Sequence, residues 1–167
     1  MAKYALVATD RVVEDGVTLT RIRRLSDGVL GGYIEAERNL DQAGGCFVHE
    51  LGRVLGDARV KGNAQVFGKL SDRAIVAGDA QLYGIAKDSA EVRGSAVVRG
   101  SVSDDSIVEG RAQVLGSVED RARVFGEAKI NGRVHGSASI GGHVTVNGSV
   151  GGSLSYAGSE TINDVRP

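Results

Sequence analysis

Small and apolar positions recur along this chain with a fixed beat. Residues 64–95 read AQVFGK, LSDR, AIVAGD, AQLYGI, AKDS, AEVRGS, two six-residue words and one four-residue word in rotation. Six, six and four make a frame of 16 residues, which starts at Ala58 and recurs at Ala74, Ala90, Ser106, Ala122, Ala138 and, degraded, Leu154. The third position of the first word is Val60, Val76, Val92, Val108, Val124, Ile140 and Tyr156. In the second word it is Val66, Leu82, Val98, Val114, Ile130, Val146 and Ile162. The fifth position is glycine from Gly62 to Gly158 in the first word and from Gly68 to Gly148 in the second.

Within a word, Ala-x-Val-x alternates apolar with polar, the period-two mark of a strand with one buried face. Four residues are too few for a helix. Glycine then supplies a corner, since it reaches positive φ without a Cβ clash. The four-residue word opens on an apolar residue (Leu70, Ala86, Val102, Val118, Val134, Val150), and its third position is Asp72, Asp88, Asp104, Asp120, Gly136 and Gly152. Aspartate and glycine share tolerance of the left-handed region, so this column predicts a third corner on a shortened side. The pattern therefore predicts an all-β, three-faced parallel β-helix, a solenoid of 16-residue coils (6+6+4) with valine and alanine lining its lumen.

The frame bounds three regions: residues 1–45 as an N-terminal β cap, 46–159 as a β-helix of about seven coils, and 160–167 as a tail. In the cap, YALVATDRVV and VTLTRIRRL read as strands joined at EDG, a hairpin turn. Residues 52–57 read as a full six-residue word leading into the solenoid. The C-terminal end shows no cap of its own, so it is expected to meet another subunit or to be covered by the tail.

Composition narrows the classes. Glycine is 25 of 167 residues but proline occurs once, at Pro167, so the glycines are positional and not those of a disordered tract. With 20 basic and 21 acidic residues the formal charge is −1, and direct nucleic-acid binding is not expected. Cys46 is the single cysteine, which excludes an intrachain disulfide. No apolar run approaches a membrane span, and the first residues lack the pattern of a signal peptide, so a cytoplasmic location is expected.

The stretches LGGYIEAERNL, CFV and the serial words GDARVKGNAQVFG together resemble the hexapeptide-repeat-like β-helix proteins of phage and prophage genomes. Some members are labelled putative acyltransferases, and the coil is more distantly similar to bactofilin-type polymerising β-helices. The resemblance implies a left-handed coil and a phage or prophage context.

Three kinds of site deserve testing. Acyl transfer needs a histidine base, and His49, His135 and His143 are the candidates. The acyltransferases also use a projecting loop, whereas every coil over residues 58–153 has the same length, so no catalytic residue is assigned. Asp72, Asp88, Asp104 and Asp120, with Asp105 and Glu119 beside them, form an acidic edge and are weak candidates for a metal; Arg73 and Arg121 are placed to offset them. Finally, Phe67, Tyr83, Arg99 and Leu115 fall in one outward column, with Ile75, Ile107 and Phe125 outward on the neighbouring face. These residues predict a protein interface. The expectation is a non-catalytic binding or scaffold protein without cofactor, a homo-oligomer whose further partner is a host protein such as a defence component. An acyltransferase relative and a self-associating structural element are the alternatives.

Overall fold

A word of the form Ala-x-Val-x-Gly has one face to bury and a corner waiting two residues later. In the computed structural model, which describes residues 2–167, each word accordingly forms a strand of two residues, such as Ile75–Val76 or Gln81–Leu82, and not the four residues the alternation suggested. A third strand of each coil, such as Lys69–Leu70 or Ile85–Ala86, straddles the second and third words. The first-word strands stack as a parallel sheet of seven and the second-word strands as a sheet of eight. The third sheet has eleven strands, because the cap joins it. Eight strands on the second face make eight coils, one more than the frame alone suggested.

Register is fixed by sixteen. Val76 pairs with Val60 below and Val92 above, and the column continues through Val108, Val124 and Ile140 to Tyr156. From Val60 to Ile140 this column is wholly removed from water, as are Val66 to Ile162 on the second face and Leu70 to Val150 on the third. Burying one such side chain contributes roughly 1.5–3 kcal/mol, and no single coil could bury it alone. The alanine positions are equally dry. Ser106 replaces an alanine there and satisfies its hydroxyl by donating to the Ser103 carbonyl at 2.6 Å.

The three corners are built differently. At the first, Gly62, Gly78, Gly94, Gly110, Gly126 and Gly142 all take positive φ, 60° to 71°. At the third, Asp72, Asp88, Asp104 and Asp120 hold φ of 60° to 62° and Gly136 and Gly152 continue the column, so the left-handed short-side corner stands as read. The second corner differs from the expectation. Gly68, Gly84, Gly100, Gly116, Gly132 and Gly148 are absent from the positive-φ set. They are glycines because the coils nearly touch: a Cβ on Gly84 would run into the Gly100 carbonyl oxygen, and the same holds up the column. The tightness shows in the hydrogen bonds, where the Tyr83 and Gly84 N–H groups share the Val98 carbonyl at 2.8 and 3.2 Å.

The cap is β1 (Tyr4–Glu14), β2 (Val17–Arg24) and β3 (Leu30–Ile34), with β1 and β2 an antiparallel hairpin turning at Asp15 and Gly16, both at positive φ. β3 pairs antiparallel with β2 and parallel with Arg53–Val54, converting a hairpin edge into a seat for the first coil. Tyr4 locks the seam by donating to the carbonyls of Leu40 (2.9 Å) and Glu37 (3.0 Å); burial pushes its phenol up to about 12. Coil pairing reaches beyond residues 46–159 in both directions. Tyr33 and Ile34 already pair with Arg53 and Val54, and Leu40 bridges Val60. At the other end Thr161–Ile162 and Val165–Arg166 pair with the preceding coil, so the tail is itself a coil and not a separate cover.

Two substitutions separate the two kinds of glycine. Gly84→Ala forces backbone against backbone and is expected to cost about 3 kcal/mol or more. Gly28→Ala, where a Cβ meets nothing within 4 Å, bears only the left-handed penalty of roughly 1–2 kcal/mol. Denaturant unfolding measures both, and equal costs would show that the second corner is not crowded.

Candidate binding surface

Stacking in register places like positions over like positions, so outward side chains form columns. On the second face the column after the buried valine is His49, Phe67, Tyr83, Arg99, Leu115, Asn131, Asn147 and Asn163. The His49 and Phe67 rings stack at 4.0 Å and the Phe67 and Tyr83 rings at 4.5 Å, nearly parallel. Arg99 closes the stack with its guanidinium 5.2 Å from the Tyr83 ring centroid. At the far end Asn131 donates to Asn147 and Asn147 to Asn163, both at 2.7 Å. The aromatic faces are thus turned to one another along the coil axis, and the column offers ring edges outward.

Around the second corner a broader apolar surface forms. Tyr83, Gly84 and Ile85 turn from the second face to the third, leaving Tyr83 40% and Ile85 46% exposed. Leu115 is 52% exposed two coils further on, and Leu51 is 79% exposed two coils before. Leu51 sits here because the first full coil is longer. Phe47 and Val48 pair with Gln65 and Val66, a spacing of 18, while Arg53 pairs with Lys69, a spacing of 16. The two extra residues, Glu50 and Leu51, protrude at the corner, closed by Gly52 donating to the His49 carbonyl at 2.7 Å. Residues 52–57 are therefore not a six-residue word: Val54 stacks under Leu70 and Gly56, at φ 69°, occupies the column of Asp72.

The resulting ridge runs Leu51, Phe67, Tyr83 with Ile85, Arg99, Leu115. Sequence reasoning found four of these residues and missed Leu51 and Ile85. Ile85 had a signal, since the other members of its column between residues 69 and 149 are Lys69, Ser101, Ser117, Arg133 and Ser149. The other expected interface residues lie elsewhere. Ile75 and Ile107 are on the first face with Glu91 between them. Phe125 covers Gly141 on the next coil, where a Cβ would strike its ring.

The acidic edge is a hydrogen-bond ladder. Asp72 accepts from the Asp88 N–H (3.3 Å), Asp88 from Asp104 (3.3 Å), Asp104 from Asp120 (3.1 Å), and Asp120 from Gly136 (2.8 Å). Each carboxylate satisfies a corner N–H that the sheets leave unpaired. The expected offset by arginine is not what forms, since Arg73 donates to Ser89 instead. The Ser71 hydroxyl holds the Asp72 carboxyl below the usual carboxylate range, and the Asp120 N–H does the same for Asp104. Glu119 is bound by Arg133, and Asp105 lines a shallow open hollow of about 760 Å³ with Asp104, Asp120 and Arg121. Among the described residues no group of three His, Cys, Asp or Glu side chains, the column of Asp72, Asp88, Asp104 and Asp120 included, is placed to hold a metal ion.

The histidines are dispersed. His49 is held in the aromatic stack with its Nε2 2.8 Å from Gln65 Oε1, and His135 lies against Gly151. His143 Nδ1 is 3.2 Å from Glu127, in a shallow cleft of about 350 Å³ with Arg111, Lys129 and Thr145.

Fold and surface define the class, a capped parallel β-solenoid that presents its side chains in columns. No protein-family model matches the chain, and no curated protein matches it. No helix among the described residues is long and apolar enough to cross a membrane.

The Asp ladder carries a pH dependence. A carboxyl held below its ordinary value near 3.8 contributes stability that is complete above that value and is lost as pH falls through its lower folded value. Asp104→Asn keeps an acceptor oxygen and tolerates the left-handed corner but cannot titrate. At pH 7 the variant is expected within about 1 kcal/mol of wild type, with a smaller loss of stability on going to pH 3. Unfolding curves at the two pH values that shift equally in both proteins would contradict this.

Proposed function

We propose that this protein is a non-catalytic binding or scaffold element that works by protein–protein contact along the second corner of its solenoid. The observation that carries the reading is the ridge itself. Tyr83, Ile85 and Leu115 are exposed apolar side chains brought to one edge by the 16-residue register, and the two-residue insertion adds Leu51 to the same edge. Scattered exposed apolar residues are ordinary, whereas an aligned and contiguous set marks a surface that is covered in use. A host protein is the partner expected from the sequence; a second copy of the chain is considered below.

One observation favours a second reading, that of an acyltransferase relative. His143 carries a carboxylate on Nδ1, the arrangement that orients an imidazole as a general base. Against it, the cleft around His143 is shallow, and Glu127 is shared with Arg111 at 3.1 Å.

Calorimetry with acetyl-CoA separates the two. The binding reading predicts no heat of association up to ligand concentrations on the order of 1 mM. Saturable micromolar binding that is lost in His143→Ala would overturn it.

A further inference from the structure

We infer that the ridge is a self-complementary dimer edge, whose occupant is a second copy of this chain running antiparallel. This rests on the ridge being the working surface and goes further by naming what covers it.

The order of residues carries the argument. A two-fold interface needs a surface patch complementary to itself after reversal. Take the coil of Tyr83 and Ile85 as the centre. Leu51 projects two coils before it and Leu115 two coils after it. Phe67 lies one coil before and Arg99 one coil after. Read in either direction from the centre, the ridge offers Tyr and Ile, then Phe or Arg, then Leu. When two copies cross antiparallel on this centre, Tyr83 and Ile85 meet their own counterparts. Leu51 meets Leu115 of the second copy, and Arg99 meets Phe67 of the second copy. The one unlike pair sets Arg99 at the outward edge of the Phe67 ring, whose two faces are taken by His49 and Tyr83, so the fit of this pair rests on the charges around it.

Charge fits the same register. Arg99 makes no ion pair among the described residues and is held only by the Tyr83 ring. Opposite it, in the coil of Phe67, stands Lys69, which would repel a guanidinium if it were free. The cap hairpin neutralises it: Lys69 Nζ contacts Asp15 at 2.6 Å and Glu14 at 2.8 Å. Asp15 remains largely exposed at the hairpin tip and is available to Arg99 of the second copy. The net charge of −1 leaves little repulsion between copies.

The ridge is short, four coil spacings or ~19 Å, well under a standard interface, so the expected dissociation constant is weak, on the order of 10–100 µM.

Sedimentation velocity across roughly 1–300 µM chain should show monomer giving way to dimer. Tyr83→Asp and Ile85→Asp, at exposed positions that keep the circular dichroism of the fold, should remain monomeric throughout. Because residue 85 sits on the two-fold axis, Ile85→Cys should form a disulfide-linked dimer under mild oxidation. Ser149→Cys, in the same column four coils away, should not, and the native Cys46 is buried and contributes no background. Monomer at every concentration, a dimer that survives Ile85→Asp, or equal cross-linking through residues 85 and 149 would each overturn the proposal. A monomer result removes the second copy as occupant and leaves the non-catalytic reading standing, whereas acetyl-CoA binding would overturn that reading whatever the oligomeric state.

Discussion

The structure depends on one close approach: each coil must lie a single hydrogen-bond spacing above the last, all the way round. Along the sheets that spacing is the ordinary ~4.8 Å between strands. At the second corner the chain turns more sharply, and the backbone of one coil presses against the carbonyl of the next. Two N–H groups then share one acceptor, as Tyr83 and Gly84 share Val98. Only a residue without Cβ fits between. The glycine column is therefore a condition for stacking, and with stacking come the dry valine shaft, the three sheets and the register.

Register has a cost, because every side chain stands over its own kind. The molecule meets this differently on each column. Aspartates at the third corner would repel one another, and instead each carboxylate accepts the N–H of the residue above. Asparagines donate along their own ladder, and aromatic rings stack. On the first face the charges cross-link coils, with Glu109 accepting from Arg93 at 3.0 Å and from Arg123 at 2.9 Å. Surface pairs of this kind contribute little individually, but they remove the like-charge penalty that a strict column would impose.

A solenoid of equal coils has few concave places, and its working surface is set by which columns carry apolar residues. The insertion of Glu50 and Leu51 breaks the period once, near the cap, and adds an apolar side chain to the same corner. The cap hairpin contributes at that corner too, since its tip holds Lys69 and removes a free charge beside Phe67. Cap, insertion and ridge thus converge on one edge of the molecule.

The sequence alone determined the period, the inward columns and the left-handed Asp and Gly corner, because each is a local choice repeated until it is unmistakable. Alternation in Ala-x-Val-x marks the buried face, and residues that tolerate positive φ mark the bend. It also placed Phe67, Tyr83, Arg99 and Leu115 together, since position in the frame is position in space. What tertiary structure decided was anything that crosses a corner or a coil boundary. That Ile85 joins Tyr83 while Ile75, Ile107 and Phe125 do not depends on how tightly the second corner turns. That the second-word glycines answer to crowding and not to φ depends on the coil above. That the Asp column is spent on backbone N–H groups depends on which donors the sheets leave free, and a donor's partner belongs to a residue sixteen positions away.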